Sequence, residues 1–140
     1  EPEGRVISRA MQEALDDAGI KPTDVDYINA HGTATALNDR TESIAINRVF
    51  GEESKVLVSS TKSMTGHLLG AGGAVEAIAC IKALQDGFVP ATINHSVNDP
   101  ACNINLVVNE GRDIDIDIAL TNSFGFGGHN ACLVLRRWQS

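Results

Sequence analysis

Positive charge is scarce in this chain. Eleven Lys and Arg stand against 18 Asp and Glu in 140 residues, a net charge of −7. That balance argues against nucleic acid and anionic membranes as partners. An acidic protein partner would need a local basic patch, and none stands out. Long apolar runs are also missing, so nothing reads as a membrane span or as a signal peptide. Cysteine is sparse: Cys80, Cys102 and Cys132 are odd in number and form no C-x-x-C pair. They read as reduced thiols of a cytoplasmic or organellar-matrix protein rather than a disulfide frame. There is no G-x-S-x-G elbow for serine hydrolysis. An initiator methionine is absent too. The chain opens Glu1-Pro2-Glu3-Gly4 with no strand before its first helix, as a piece of a longer polypeptide would. At this length it makes a single domain, residues 1–140, with a real core.

What the chain does have is three polar, glycine-bearing turns. Asn29-Ala30-His31-Gly32-Thr33-Ala34-Thr35 follows a predicted strand over Val25–Ala30. Ser59-Ser60-Thr61-Lys62-Ser63-Met64-Thr65-Gly66-His67 follows a short buried strand over Val56–Val58. Asn122-Ser123-Phe124-Gly125-Phe126-Gly127-Gly128-His129-Asn130 follows Ile116–Leu120. Loops at the carboxyl ends of strands carry the chemistry of α/β proteins.

Helices separate these strands. Val6, Ile7, Ala10, Met11, Ala14, Leu15 and Ala18 recur at helical spacing, with Gly19 placed to stop the helix. Asp39–Phe50 reads as a second amphipathic helix ending at Gly51, and Ala71–Leu84 as an apolar helix for a buried interface. Ala91–Asn103 is an irregular loop, and Ile104–Val108 reads as a strand. Ile114, Ile116 and Ile118 alternate with aspartates, the pattern of a half-exposed strand. Ala131–Arg136 is the last strand. The order predicts an α/β fold whose sheet is mixed, because only a short turn joins the last two strands.

Two histidines on converging turns can donate to a developing oxyanion or take a proton near neutral pH. Lys62, placed after a buried strand among Ser and Thr, reads as a buried cation, which needs a carboxylate. Glu76 on the apolar helix is the partner, provided that helix begins after the Gly66-His67 turn. The Phe124–Gly128 turn offers unhindered N–H groups for an oxyanion hole, or simply a tight turn between strands. Other chemistries fit poorly. Gly70-Ala71-Gly72-Gly73 puts Val75 where a dinucleotide loop needs its third glycine. His31, His67, His95 and His129 show no metal-ligand spacing, so no metal site is expected. The cysteines read as core residues.

The motifs Asn-Ala-His-Gly-Thr-x-Thr, Ser-Thr-Lys-Ser-x-x-Gly-His and Asn-Ser-Phe-Gly-Phe-Gly-Gly resemble the C-terminal part of the β-ketoacyl-acyl-carrier-protein synthases. The resemblance runs from the Ala10–Gly19 helix to Arg136, and the wording is most similar to the elongating enzymes of type II fatty-acid synthesis. It implies a thiolase-like half, a mixed five-stranded sheet packed with helices, and decarboxylative Claisen condensation of an acyl-enzyme with malonyl-carrier protein. It implies that His31 and His67 are the catalytic histidines and Lys62 the active-site lysine, paired with Glu76. Asp39 matches a supporting acid, and Thr33, Thr35 and Phe124 match substrate-binding residues, the two threonines along the pantetheine arm. Phe126 matches a gating phenylalanine whose N–H forms half of an oxyanion hole. Neither cofactor nor metal is implied, since substrates ride on the phosphopantetheine arm of acyl carrier protein, the partner. A homodimer is implied for the complete protein. The family's nucleophilic cysteine belongs to the N-terminal half and has no match here. This chain alone is therefore expected to be inactive in condensation, with an exposed apolar face toward the missing half. The alternatives are a ketosynthase of a polyketide system, a non-condensing chain-length partner, or an acyl- or pantetheine-binding module.

Overall fold

Tyr27, Ile28 and Asn29 form strand β1 (Tyr27–Asn29), and all three are buried because strands flank them on both sides. The computed structural model describes residues 4–139, with the Phe126 side chain outside the described residues. Strand β1 pairs in parallel with β2 (Leu57–Ser59) and with β5 (Ile118–Phe124). Strand β6 (Asn130–Arg136) runs antiparallel to β5, so the order β2-β1-β5-β6 makes a mixed sheet. A two-stranded ribbon, β3 (Phe88–Val89) with β4 (Arg112–Asp113), lies apart from it.

Side chains alternate across this sheet, and each face has its own core. Ile28, Val58 and Leu120 pack on one face with Met11 and Leu15 of α1 (Arg5–Ala18) and Ala45 and Ile46 of α2 (Ala36–Phe50). Tyr27, Leu57 and Ala119 pack on the other with Cys80, Ala83 and Leu84 of α4 (Gly72–Asp86). Helix α1 ends as its sequence requires. Gly19 sits in the left-handed region at φ 65°, and the Ile20 N–H returns to the Leu15 carbonyl at 3.1 Å. The outer face of α4 leaves Ile78 and Ile81 59% and 42% exposed.

Two expectations need correction. The sheet has four strands, not five. Residues 104–108 touch its edge only through a parallel bridge of Leu106 to Val58. The Val107 carbonyl accepts the Thr92 N–H and the Asn109 N–H donates to the Thr92 carbonyl, each at 2.8 Å, so the groups that would carry the ladder past Val58 pair with the loop instead. Nor is there a strand through Ile114 and Ile116. The Asp117 and Ile118 N–H groups are held by the Asp26 carboxylate at 2.8 and 3.0 Å, which turns the chain before β5 begins. The alternating isoleucines there mark depth alone: Ile116 and Ile118 are buried, while Ile114 is exposed. The loop over 91–103 is irregular, as its sequence suggests.

Candidate active site

The parallel strands β1, β2 and β5 all end on the same side of the sheet, and each polar turn leaves from one of those ends. His31 lies two residues beyond β1, Lys62 three beyond β2, and Phe124 closes β5. The turns after β1 and β2 touch. Gly32, at φ 43°, lies so close to Ser60 that a Cβ there would sit 2.4 Å from the serine Cβ. The Ser60 hydroxyl donates to the Gly32 carbonyl at 2.8 Å. Only glycine allows both the conformation and the approach.

The buried His31 ring stands perpendicular to that of His67, with centroids 5.5 Å apart, and Phe124 meets it edge-on at 5.4 Å. Burial is the main cause that lowers the His31 imidazole to a pKa of about 4, helped by the charges of Lys62 and His67. His31 is therefore neutral at pH 7, and its Nδ1 has no hydrogen-bond partner in the structure. His67 lies at the surface of the cleft. Its Nδ1 accepts the Leu69 N–H at 3.1 Å, so the neutral ring carries its proton on Nε2. Leu69 reaches this bond at φ 51°, a conformation uncommon outside glycine and asparagine.

Lys62 opens the single-turn helix α3 (Lys62–Thr65), and its Nζ pairs with Glu76 Oε1. Both side chains are more than nine-tenths buried. Helix α4 begins at Gly72, after the His67 turn, which is the condition for this pairing. A cleft of about 720 Å³ opens beside these groups, lined by Thr33, Asp39, Lys62 and His67 and by the apolar Ile93 and Val97.

Helix α2 starts at Ala36, three residues before the sequence pattern suggests, with Thr35 extended at its cap. Asp39 thus lies in the first turn, half-buried on the cleft wall, with its Oδ1 accepting from Asn38 at 3.1 Å. The Thr33 and Thr35 hydroxyls are 2.9 Å apart. In the third turn, the Phe126–Gly128 backbone forms a 3-10 turn closed by a 2.7 Å bond from Gly125 N–H to the His129 carbonyl. The expected role of the Phe126 side chain falls outside the described residues.

Sequence reasoning missed Glu42. It is buried against the sheet one helical turn before Ala45 and Ile46, on a face where a carboxylate has no reason to be unless it is held. Its oxygens accept the His31 and Gly32 N–H groups, each at 2.9 Å, and the side-chain amides of Asn122 at 3.2 Å and Asn38 at 3.4 Å. A charged residue at that phase of the helix was the available signal.

The thiols differ from activated nucleophiles. Cys80 is buried in the core under α4 and Cys132 packs against the core on the opposite face of the sheet, and burial pushes both thiols up to about 12. Cys102 borders the cleft, and burial raises its thiol as well.

Residues 1–96 match the family described as Beta-ketoacyl synthase, C-terminal domain. The chain is 54% identical over 140 residues to 3-oxoacyl-[acyl-carrier-protein] synthase 2 of Staphylococcus aureus, covering 99% of this chain and 34% of that protein. It is 50% identical over 139 residues to the Synechocystis protein of the same name, covering 99% and 33%. Among solved structures, a type II PKS acyl-carrier protein in complex with its ketosynthase bound to the hexaketide matches with a TM-score of 0.95 and 39% identity, over 99% of this chain and 34% of that one. A β-ketoacyl synthase from Burkholderia phymatum matches with a TM-score of 0.93 and 41% identity, over 99% and 34%. The chain thus spans about a third of the length of these relatives.

Proposed function

Since this chain belongs to the β-ketoacyl synthase C-terminal domain family, we propose that it forms the decarboxylating side of a condensing-enzyme active site in fatty-acid synthesis. The observation that carries the reading is the pair of imidazoles, His31 and His67, 5.5 Å apart beside the buried Lys62–Glu76 pair. In this reading a malonyl thioester, carried on the phosphopantetheine arm of acyl carrier protein, enters the cleft past Thr33 and Thr35. Its carboxylate leaves as CO2, and the bonding electrons pass into the thioester to form an enolate. Neutral imidazoles with N–H groups facing that oxygen stabilise the charge as it develops. The low affinity of His31 for a proton supports this role, because it keeps the ring neutral at working pH. Lys62, held by Glu76, adds a fixed positive charge near the departing carboxylate. Asp39 supports the cleft wall, and Phe124 packs edge-on against the His31 ring.

The enolate carbon then attacks an acyl thioester, and a cysteine thiolate departs. We assign that cysteine to an N-terminal part of the complete protein, since the thiols here are shifted toward the unreactive thiol form. The complete protein is then a cytoplasmic acyltransferase and a homodimer, with acyl carrier protein as its partner and the outer face of α4 turned toward the N-terminal part. A polyketide ketosynthase is the second reading, favoured by the likeness to a polyketide ketosynthase structure. The test is direct. The purified 140-residue chain, given acyl- and malonyl-carrier protein, should yield no 3-oxoacyl product, whereas a longer protein that includes its N-terminal part should yield it. Product from the chain alone would refute the assignment.

A further inference from the structure

Residues 92–109 make a loop closed at its own neck. The Thr92 N–H donates to the Val107 carbonyl and the Asn109 N–H to the Thr92 carbonyl, each at 2.8 Å. The Asn109 side chain closes it a second time, accepting the His95 N–H at 2.9 Å and donating to the His95 carbonyl at 2.8 Å. The first arm of the loop, with Ile93 and Val97, is a wall of the cleft.

The turn that carries Lys62 also closes on itself. The Ser60 carbonyl accepts the Ser63 N–H at 3.3 Å and the Ser63 hydroxyl at 2.9 Å. Two more bonds join this turn to the loop. The Ser60 N–H donates to Thr92 Oγ1 at 2.9 Å, and the Ile93 N–H donates to Ser63 Oγ at 3.0 Å. The result is a closed ring: Ser60 to Thr92, along the chain to Ile93, on to Ser63, and back to Ser60. Ser63 gives its one hydrogen to Ser60 and accepts from Ile93 through a lone pair, so a single hydroxyl serves both links. Lys62 sits between the two serines, and like Ser60 it is only 8% exposed.

We infer that Thr92 and Ser63 are positioning residues that fasten the loop wall of the cleft to the Lys62 turn, so that the wall and the lysine move as one body. Thr92 spends its N–H and its carbonyl on the loop neck, and its hydroxyl reaches out to the lysine turn. The neck and the Asn109 clamp already hold the loop shut. The two hydroxyl bonds add nothing to that closure, and what they fix is the relation of loop to turn. Without the Thr92 hydroxyl the buried Ser60 N–H would have no partner, a cost comparable to that of a lost hydrogen bond. The role in turnover rests on the function proposed above, while the coupling of loop to turn does not.

Three substitutions test the coupling. Thr92→Val keeps the shape and loses the acceptor, Thr92→Ser keeps the acceptor, and Ser63→Ala cuts the other link. The first measurement is amide hydrogen exchange by NMR on the 140-residue chain, read at the amide each substitution does not touch. Thr92→Val should lower the protection of Ile93, and Ser63→Ala that of Ser60, by about tenfold each. Thr92→Ser should retain both. In Ser63→Ala the Asn109 amide at the neck should stay within about twofold of wild type, since loop closure is separate. Unchanged cross-amides in both variants would overturn the inference, as would an Asn109 amide that loosens as much as Ser60. If Thr92→Val does not fold, Ser63→Ala decides alone. The second measurement is malonyl-thioester decarboxylation by the longer protein. Thr92→Val should lower kcat about 10-fold with KM within about twofold, and Thr92→Ser should restore it. In a background of Lys62→Met with Glu76→Leu, Thr92→Val should cost less than about twofold more, because it acts through the lysine. A full further loss in that background would overturn the link to Lys62. A longer protein that releases no CO2 would defeat the proposed function, and amide exchange would still decide the coupling.

Discussion

His31 shows how burial turns a common residue into a specialised one. Its ring sits where protonation would place a cation beside Lys62 and next to His67, with little solvent to compensate. The native state therefore resists a proton that the unfolded chain accepts near pH 6.5. The sign follows from linkage: the contribution of His31 to stability is complete above pH 6.5 and is lost as pH falls toward about 4. Replacing it with asparagine should remove that part of the pH dependence. In urea unfolding, the wild-type chain should lose more stability than His31→Asn between pH 7 and pH 5. Equal losses would mean that His31 titrates normally. His31, His67 and Lys62 were legible in the sequence because each is a polar residue in a glycine- or serine-rich turn after a buried strand. Glu42 and Asn122 were not, because their partners come from segments 10 and 80 residues away. Periodicity along one helix cannot reveal such pairs.

At the scale of elements, the longer helices and the three parallel strands follow closely from pattern, since their apolar spacing matches the two-faced core. The failures occur where backbone bonding overrides side-chain pattern. Residues 104–108 carry strand-like sequence, yet backbone bonds to Thr92 leave them a bridge at the sheet edge. The isoleucines before β5 alternate, yet the Asp26 carboxylate shapes that segment as a turn. The contact that most depends on element placement is Lys62 with Glu76, which joins α3 to α4 across the His67 turn. Breaking a buried pair on one side strands a charge, at a cost of about 3–5 kcal/mol. Lys62→Met or Glu76→Leu alone should therefore destabilise the chain by about that amount. The double substitution should recover much of the loss, because it leaves no unpaired charge. Chemical denaturation of the three variants checks this, and a double variant as unstable as the sum of the singles would rule out the pairing as the cause.

At the scale of the molecule, one end of a sheet gathers the two imidazoles, a clamped lysine and a cleft, while α4 turns Ile78 and Ile81 outward. The arrangement is that of a site with one wall: the groups proposed to stabilise an enolate stand together, and the described thiols are held far from thiolate form. The central claim is that this wall releases CO2 from a malonyl thioester through His31 and His67. The measurement that tests it most directly is CO2 release from labelled malonyl-carrier protein by the longer protein, in wild type and with His31→Ala or His67→Ala. Each substitution should slow release by about 100-fold or more, as loss of an oxyanion donor does. Release at the wild-type rate in both variants would contradict the account.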